Sequence, residues 1–216
     1  MQVALQQIVV SPGQQLLLKN VSWQQFQEIL ANLGESRNSR IAYSQGMLEI
    51  MVPLPEHEDD KVIIGDLVKA ILEEIDIEFR SLGSTTFENE QMLAAVEPDD
   101  CFYIQNEAAI RGKKRLNLKV DPPPDLAIEI DITSKTKLAI YQNLRVPELW
   151  RYNGQKLEIN LLQAGKYIQS NQSLIFPNLP ITEAIPEYLE RSKVIGRNAT
   201  MKLFRIWLKT QLNRID

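Results

Sequence analysis

The sequence predicts a mixed α/β fold, and two segments carry that prediction. The first is an amphipathic helix over 59–75, whose apolar residues recur at intervals of three and four: Ile64, Leu67, Val68, Ile71, Leu72 and Ile75. This stripe is typical of a helix that lies against a sheet. The second is a run at 125–132 that is apolar enough to be a central strand. We therefore expect a mixed sheet covered by helices.

Length and composition fit a single domain over 1–216, with a core at about 22–170 and a helical extension at about 181–216. The chain has 216 residues, of which 44% are hydrophobic, so it can bury a sizeable core. Its one cysteine, Cys101, cannot form an internal disulfide, and neither a long apolar run nor a signal-peptide pattern occurs. We expect a cytoplasmic protein with no membrane partner.

Charge is distributed unevenly along the chain. The net charge is −4, but residues 191–216 contain seven basic residues and one acidic residue, which leaves −10 for residues 1–190. An acidic body disfavours strong non-specific binding to nucleic acid, because neutralising phosphates takes an excess of lysine and arginine. The basic segment is either a solvated helix face or a tail that attracts a polyanion.

The first third of the chain predicts an arm, a short helix and a hairpin. Residues 1–20 show no clear period, so we expect them to lie as an arm on the body. Ser22 offers an N-cap to a helix near 23–32, and a hairpin follows within 40–52. In the second strand of this hairpin, Glu49 lies on the opposite face from the aliphatic residues.

The remaining chain predicts strands, then a further helix and strand. After the helix at 59–75, the predicted elements are extended stretches at 77–82 and 84–92, a strand at 101–104, a loop at 107–120, the strand at 125–132, a helix at 134–143, a strand at 146–152, extended runs at 157–162 and 167–169, and helical periodicity from 181 onward.

Carboxylates share one side of the strand at 125–132. Because strand side chains alternate, Asp125, Glu129 and Asp131 point to the same side as Ala127, whereas the other side is apolar. Charges on a central strand need a cation, hydrogen bonds or raised pKa values. Mg²⁺ prefers oxygen ligands and is satisfied by one or two carboxylates together with water and substrate phosphate. This strand is therefore a candidate metal site.

A second acidic group and two lysines accompany that strand. Asp99 and Asp100 follow a proline immediately before the strand at 101–104, and Lys135 and Lys137 come just after the acidic strand. An ammonium group there could stabilise the charge that develops on a phosphate or orient an attacking water. Two acids and a lysine around a metal are the components of a site for phosphodiester hydrolysis.

Three segments resemble the PD-(D/E)xK restriction-endonuclease-like superfamily and, within it, the family of putative restriction endonucleases abundant in cyanobacteria. They are GMLEIMVP, which is followed by His57; EPDDCFYI at 97–104; and PPDLAIEIDITSKTKLAIYQNLRVPELWRY at 123–152. The resemblance covers about 25–155. It implies a restriction-endonuclease-like αβββαβ core, which agrees with the order of elements given above.

The resemblance also implies roles for individual residues. It makes Asp99 and Glu129 ligands of Mg²⁺ or Mn²⁺ and assigns catalysis to these two acids and Lys137. The superfamily's lysine normally stands two positions after the second acid, where this chain has Asp131. Family members resemble this chain in carrying the lysine on the next helix, in the register of Lys137 and Tyr141. Asp131 is either a third metal ligand or a cap for that helix.

Each candidate also has a purely structural interpretation. Asp99 and Asp100 are common residues in a turn before a strand, and of the two we favour Asp99 as the ligand. Lys137 is either the catalytic cation or a solvated helix residue, with Lys135 as its substitute. Glu49 either joins the acidic cleft or faces solvent.

Three further side chains are assigned mainly to structure. His57 is the only histidine, so it cannot form a histidine-based metal site. We expect a local loop contact for it, with a general-base or phosphate-contact role as the alternative. Trp150 and Tyr152 are expected to pack in the core or at its edge rather than to stack on bases.

The function expected from these observations is a metal-dependent endonuclease that acts on nucleic acid, most simply DNA. By analogy we expect a homodimer, because two sites are needed to cut both strands at once. One alternative is a binding module that has kept the fold and lost its chemistry, which Asp131 in place of lysine favours. Another is an interaction protein whose helix at 185–216 packs on a second subunit.

Overall fold

The computed structural model of the protein describes residues 8–34, 38–132 and 135–213. The strands among them are β1 (Gln15–Leu18), β2 (Arg40–Ser44), β3 (Met47–Met51), β4 (Arg80–Ser81), β5 (Phe87–Asn89), β6 (Ala94–Val96), β7 (Asp100–Tyr103), β8 (Leu126–Ile130), β9 (Glu148–Tyr152), β10 (Leu157–Gln163) and β11 (Lys166–Ser170). The helices are α1 (Trp23–Leu33), α2 (Pro55–Glu74), α3 (Glu107–Ile110), α4 (Leu138–Asn143), α5 (Ile181–Ile195) and α6 (Arg197–Leu212).

These strands form two sheets rather than one. The first has the order β1-β3-β2-β6-β5 and is antiparallel throughout. The second has the order β11-β10-β9-β8-β7-β4 and is mixed, because β8 and β9 run parallel while its other pairs are antiparallel. A parallel pair needs a crossover connection, and α4 lies within it. The predicted mixed α/β fold is confirmed.

Helix α2 covers one face of the mixed sheet, as its apolar stripe predicts. Leu67, Val68 and Ile71 are fully buried and pack in one cluster with Ile128 and Trp150 of the sheet. Helices α5 and α6 complete this cluster through further buried side chains, among them Ile185, Leu189, Phe204 and Leu208. The C-terminal helices therefore pack on the core of their own chain.

The other face of the mixed sheet meets α4 and the five-stranded sheet. Ile140 and Tyr141 of α4 pack in a second cluster with Ala127 and Leu149 of the mixed sheet and with Val96 of the five-stranded sheet. The two sheets thus approach each other around α4. The cleft between them is where the candidate site lies.

The N-terminal half differs from prediction mainly in element boundaries. The predicted arm contains strand β1, which pairs with β3, and α1 matches the predicted helix with Ser22 as its N-cap. The hairpin of β2 and β3 turns at Gln45 and Gly46, both of which have positive φ as a two-residue turn requires. Helix α2 begins at Pro55, four residues before the predicted start, so Glu56 and Glu58 lie in its first turn.

Later boundaries also shift. The extended stretches predicted before the 101–104 strand reduce to β4 and β5, and a short 3-10 turn at Glu90–Met92 leads into β6. The predicted loop at 107–120 begins with α3. Helix α4 begins at Leu138, later than predicted, and Ser134 lies outside the described residues. The C-terminal helical region is divided at Gly196, whose φ is 82°.

Part of the basic charge at the C-terminus is paired with α2. Three cations of α6 form ion pairs with acids of α2: Arg197 with Asp66 at 2.6 Å, Arg205 with Glu73 at 2.6 Å, and Lys209 with Glu74 at 3.4 Å. Exposed pairs of this kind stabilise a fold only weakly, but they partly neutralise the segment. These three cations of the basic segment are thus matched to acids of their own chain.

No helix within the described residues combines the length and the apolar character needed to cross a membrane.

Candidate functional site

The candidate site is a cleft of about 60 Å³ between the two sheets, beside the start of α4. Five parts of the chain line it: the β2–β3 hairpin, the start of α2, the link from β6 to β7, the end of β8, and the segment that enters α4. The charged side chains and histidine on its walls are Arg40, Glu49, His57, Glu97, Asp99, Glu129, Asp131, Lys135 and Lys137. Residues far apart in sequence therefore meet in one acidic cleft with cations around it.

Asp99 and Asp100 face opposite ways. Asp99, which is 2% exposed, lines the cleft, and its Oδ2 accepts a hydrogen bond from the backbone N–H of Ile130 at 2.8 Å. Asp100 instead faces α2, where it accepts hydrogen bonds from Ser81 Oγ at 3.1 Å and from the Cys101 N–H at 2.8 Å. The alternation of side chains along an extended segment explains this division. Only Asp99 can serve the cleft.

Glu129 lies beside Asp99 at the end of β8. Burial raises the pKa of Glu129 well above its ordinary value, and the neighbouring charge of Asp99 raises it further. The two carboxyl groups are within hydrogen-bonding reach of each other, and the buried hydroxyl of Tyr141 donates to Glu129 Oε1. Two adjoining carboxylates repel each other unless a proton or a cation lies between them. This pair is therefore suited to hold a cation.

Lys137 lies at the N-terminus of α4 and contacts the opposite sheet. Its Nζ is 2.5 Å from Glu49 Oε2, so Glu49 belongs to the cleft. The ammonium is thus held over the mouth of the cleft by a carboxylate other than Asp99 or Glu129. Lys135 also lines the cleft but is exposed.

Asp131 lies on the wall of the cleft with both oxygens already engaged. Its Oδ1 accepts a hydrogen bond from the Thr136 N–H at 2.9 Å, and its Oδ2 is 2.8 Å from Arg151 Nε. The first contact holds the segment that leads into α4, much as the predicted cap would. The second places a cation next to the position where the superfamily's motif has lysine.

Asp125 is in a different place from the cleft. Its Oδ2 accepts hydrogen bonds from the backbone N–H groups of Ile104 at 2.7 Å and Asn106 at 3.0 Å. Asp125 was expected to share one side of the strand with Glu129 and Asp131. Because β8 begins only at Leu126, Asp125 lies before the strand, and its carboxylate does not line the cleft. Asp125 therefore fixes the turn after β7.

Sequence reasoning undervalued His57. It lies in the first turn of α2 rather than in a loop, is 1% exposed, and lines the cleft. Its Nε2 is 3.1 Å from Asp99 Oδ2, although neither ring nitrogen has an aligned hydrogen bond among the described residues. Arg40, with Nε 3.8 Å from Asp99 Oδ1, was missed as well. The position of His57 just after the GMLEIMVP segment was the available signal.

A divalent metal fits this site only with ligands from outside the protein. Within the described residues, no group of three or more His, Cys, Asp and Glu side chains converges so that it could hold a metal ion. Asp99 and Glu129 supply two adjoining carboxylates, and Mg²⁺ commonly binds one or two carboxylates and completes its shell with water and phosphate oxygens. The donor set therefore fits Mg²⁺ or Mn²⁺ bound together with a phosphate-bearing ligand.

Comparisons with known proteins agree on the fold. The sequence profile of the Uma2 family, described as putative restriction endonuclease, matches residues 23–192. A solved structure described as a putative nuclease belonging to DUF820, from Anabaena variabilis, has a TM-score of 0.51 and 14% identity. That alignment covers 78% of this chain and 99% of the other. A search of curated proteins finds no match.

Proposed function

We propose that this chain, which belongs to the Uma2 family of putative restriction endonucleases, is a metal-dependent nuclease that hydrolyses phosphodiester bonds of nucleic acid. The observation that carries the proposal is the contact between the Asp99 and Glu129 carboxyl groups at the end of β8, in a cleft that also holds Lys137. Adjoining acids with a nearby ammonium match the charges of a metal ion and a phosphate.

Asp99 and Glu129 would hold Mg²⁺ or Mn²⁺. The bound metal supplies a Lewis acid for the phosphate and lowers the pKa of a coordinated water. The Ile130 N–H and the Tyr141 hydroxyl each occupy one carboxylate oxygen, so they fix the directions in which Asp99 and Glu129 present the others. Asp131 would join as a third ligand only by releasing Thr136 or Arg151.

Lys137 would contact the substrate phosphate. Its pairing with Glu49 places the ammonium at the mouth of the cleft, where it can meet a phosphate that approaches the carboxylates. We infer DNA as the substrate, because the family description names restriction endonucleases. A homodimer would place two such sites on the two strands, and light scattering of the purified chain measures that state directly.

Isothermal titration of Mg²⁺ and Mn²⁺ into the chain tests the proposal first. Glu129→Gln keeps the shape of the side chain and removes its charge, so binding should weaken at least about tenfold. Asp100→Asn is the matched control, because that carboxyl faces α2, and it should bind as the wild type does. The titrations are repeated with bound DNA, because phosphate oxygens complete the shell. Failure of wild type to bind metal in either form overturns the proposed metal site.

A second candidate function is a binding module of nuclease fold without efficient chemistry. The position of the superfamily's lysine holds Asp131, and that side chain is tied to Arg151. Lys137→Ala separates the two functions. In a nuclease, this variant retains metal binding and loses the cleavage of DNA that the wild type shows. In a binding module, the wild type already lacks efficient cleavage, and the variant binds nucleic acid as the wild type does.

A further inference from the structure

An ionic contact between a buried carboxylate and a partly exposed lysine joins the C-terminal helices to the helix that carries His57. Asp60 of α2 is 0% exposed, and Lys193 of α5 brings its Nζ to 3.2 Å from Asp60 Oδ1. Among the described residues neither oxygen of Asp60 has an aligned hydrogen bond. Lys193, which is also 3.0 Å from Glu190, therefore supplies the main compensation for this buried carboxylate.

The surroundings of Asp60 make that compensation necessary. Burial raises the pKa of Asp60, and the contact with Lys193 offsets part of the rise. The hydroxyl of Tyr152 is buried without a hydrogen-bond partner among the described residues, and the charge of Asp60 adds to the effect of burial in raising the Tyr152 pKa to about 12. Removing one partner of a buried ion pair strands the other charge, which must then become neutral or move toward water.

Asp60 and His57 lie one turn apart on α2. Residues at i and i+3 are neighbours on a helix surface, so a shift of the turn that carries Asp60 also moves His57. His57 is the side chain that approaches Asp99 at 3.1 Å. The first turns of α2 thus contact the cleft through His57 and the C-terminal helices through Asp60. Residue 193 lies just beyond the range matched by the family profile.

We propose that Lys193 is a positioning residue for the cleft: by keeping the charge of Asp60 buried, it fixes the first turns of α2 and holds His57 against Asp99. The C-terminal helices then do more than cover the core, because one of their cations sets the geometry of a wall of the site. This inference rests on the proposed function only in so far as His57 belongs to a catalytic cleft.

The test uses the only histidine of the chain as a reporter. The imidazole resonances of His57 are recorded by NMR in the full chain, in Lys193→Met and in the double variant Asp60→Asn with Lys193→Met. The Met variant should shift the His57 resonances and lower the melting temperature by on the order of 10 °C. The double variant should return both toward wild type, because no charge is left stranded.

Arg205→Met is the matched control, because it removes an exposed ion pair between α6 and the far end of α2. It should leave the His57 resonances in place. If Lys193→Met lowers the melting temperature while the His57 resonances stay where they are, Lys193 is only structural and the proposal is wrong. Should the Met variant not fold, Lys193→Gln replaces it, since its amide can still donate a hydrogen bond to Asp60.

Cleavage kinetics give a second readout. In an active wild type, Lys193→Met should lower kcat about tenfold and leave KM nearly unchanged, because Lys137, the residue proposed to contact the substrate phosphate, is not altered. A change in KM alone contradicts a positioning role. If the wild type cleaves nothing, the proposed function fails, but the NMR comparison still decides the role of Lys193.

Discussion

Lys137 Nζ and Glu49 Oε2 lie 2.5 Å apart and join the N-terminus of α4 to the five-stranded sheet across the mouth of the cleft. The pair links residues 88 positions apart in sequence. Glu49 is largely buried, so solvent screens this pair less than it screens the surface pairs of α6. The position of Lys137 therefore depends on a residue of the other sheet.

Glu49→Gln should impair the proposed nuclease activity. Without the carboxylate, the Lys137 ammonium loses the charge that holds it over the cleft, and we expect kcat to fall about tenfold. Metal binding should change little, because Asp99 and Glu129 remain. Single-turnover cleavage and metal titration measure the two effects. Glu88→Gln, an exposed change in the same sheet, should leave both unaltered. Equal cleavage rates for the two variants would contradict a positioning role for Glu49.

Gly65→Ala should destabilise the fold although alanine favours helices. A Cβ atom at residue 65 would lie 2.6 Å from Asp100 Oδ2, and that carboxylate is held by Ser81 and the Cys101 N–H. We expect a loss of about 1–3 kcal/mol in the free energy of unfolding, which outweighs the gain of about 1 kcal/mol in helix propensity. Urea unfolding of the wild type and of the variant measures the net change in free energy.

The same change should become neutral or stabilising when Asp100 is alanine, because the clash is gone. A double-mutant cycle over Gly65→Ala and Asp100→Ala isolates that interaction. Additive effects of the two substitutions would show that Gly65 does not make room for Asp100.

Asp100→Asn should become more favourable relative to wild type as pH rises. Burial raises the pKa of Asp100 above its ordinary value of 3.8. Above pH 3.8 the folded protein therefore binds a proton that the unfolded chain has released, and this stabilising contribution is lost as pH rises through the folded pKa. Asparagine carries no such dependence.

Urea unfolding of both proteins from pH 4 to pH 7 measures that effect. The difference in free energy of unfolding should move in favour of the variant and then become constant above the folded pKa. A difference that does not vary with pH, or that moves in favour of wild type, would mean that burial does not raise the pKa of Asp100.

Phe204→Ala should destabilise the whole chain. Phe204 of α6 is 0% exposed and packs in the cluster under α2, so its loss should cost about 3–5 kcal/mol of unfolding free energy. Ile206→Ala on the same helix is the control, because that side chain is 64% exposed and should change stability by less than about 0.5 kcal/mol. Guanidinium unfolding compares them. Similar midpoints would mean that α6 does not belong to the core.

The sequence predicts those parts of the fold that local patterns specify. The apolar period of α2 and the apolar face of β8 depend on near neighbours in the chain, so they identify a helix on a sheet without further information. The predicted hairpin, which turns at Gln45 and Gly46, is equally local. Element boundaries were less well predicted, because the start of α4 depends on contacts that Asp131 makes with the segment before it.

The sequence could predict which candidate residues have suitable chemistry, but not how their side chains are arranged relative to one another. Acids at 99 and 129 and a lysine at 137 could be selected from spacing and resemblance. Their spacing could not show that Asp131 is held by Arg151 or that Asp125 fixes a turn instead. Those outcomes depend on which distant side chains the fold places beside each acid. Hydrogen bonds between distant residues leave no local period in the sequence.

By itself the sequence determined the mixed α/β class, the family resemblance, and the acids and lysine available for chemistry. Only the tertiary structure decided that Asp100 faces α2, that Glu49 holds Lys137, and that His57 approaches Asp99. The physical reason is distance along the chain. Periodicity records whether a side chain faces the core, whereas the partner of a buried charge is set by how separate elements pack against each other.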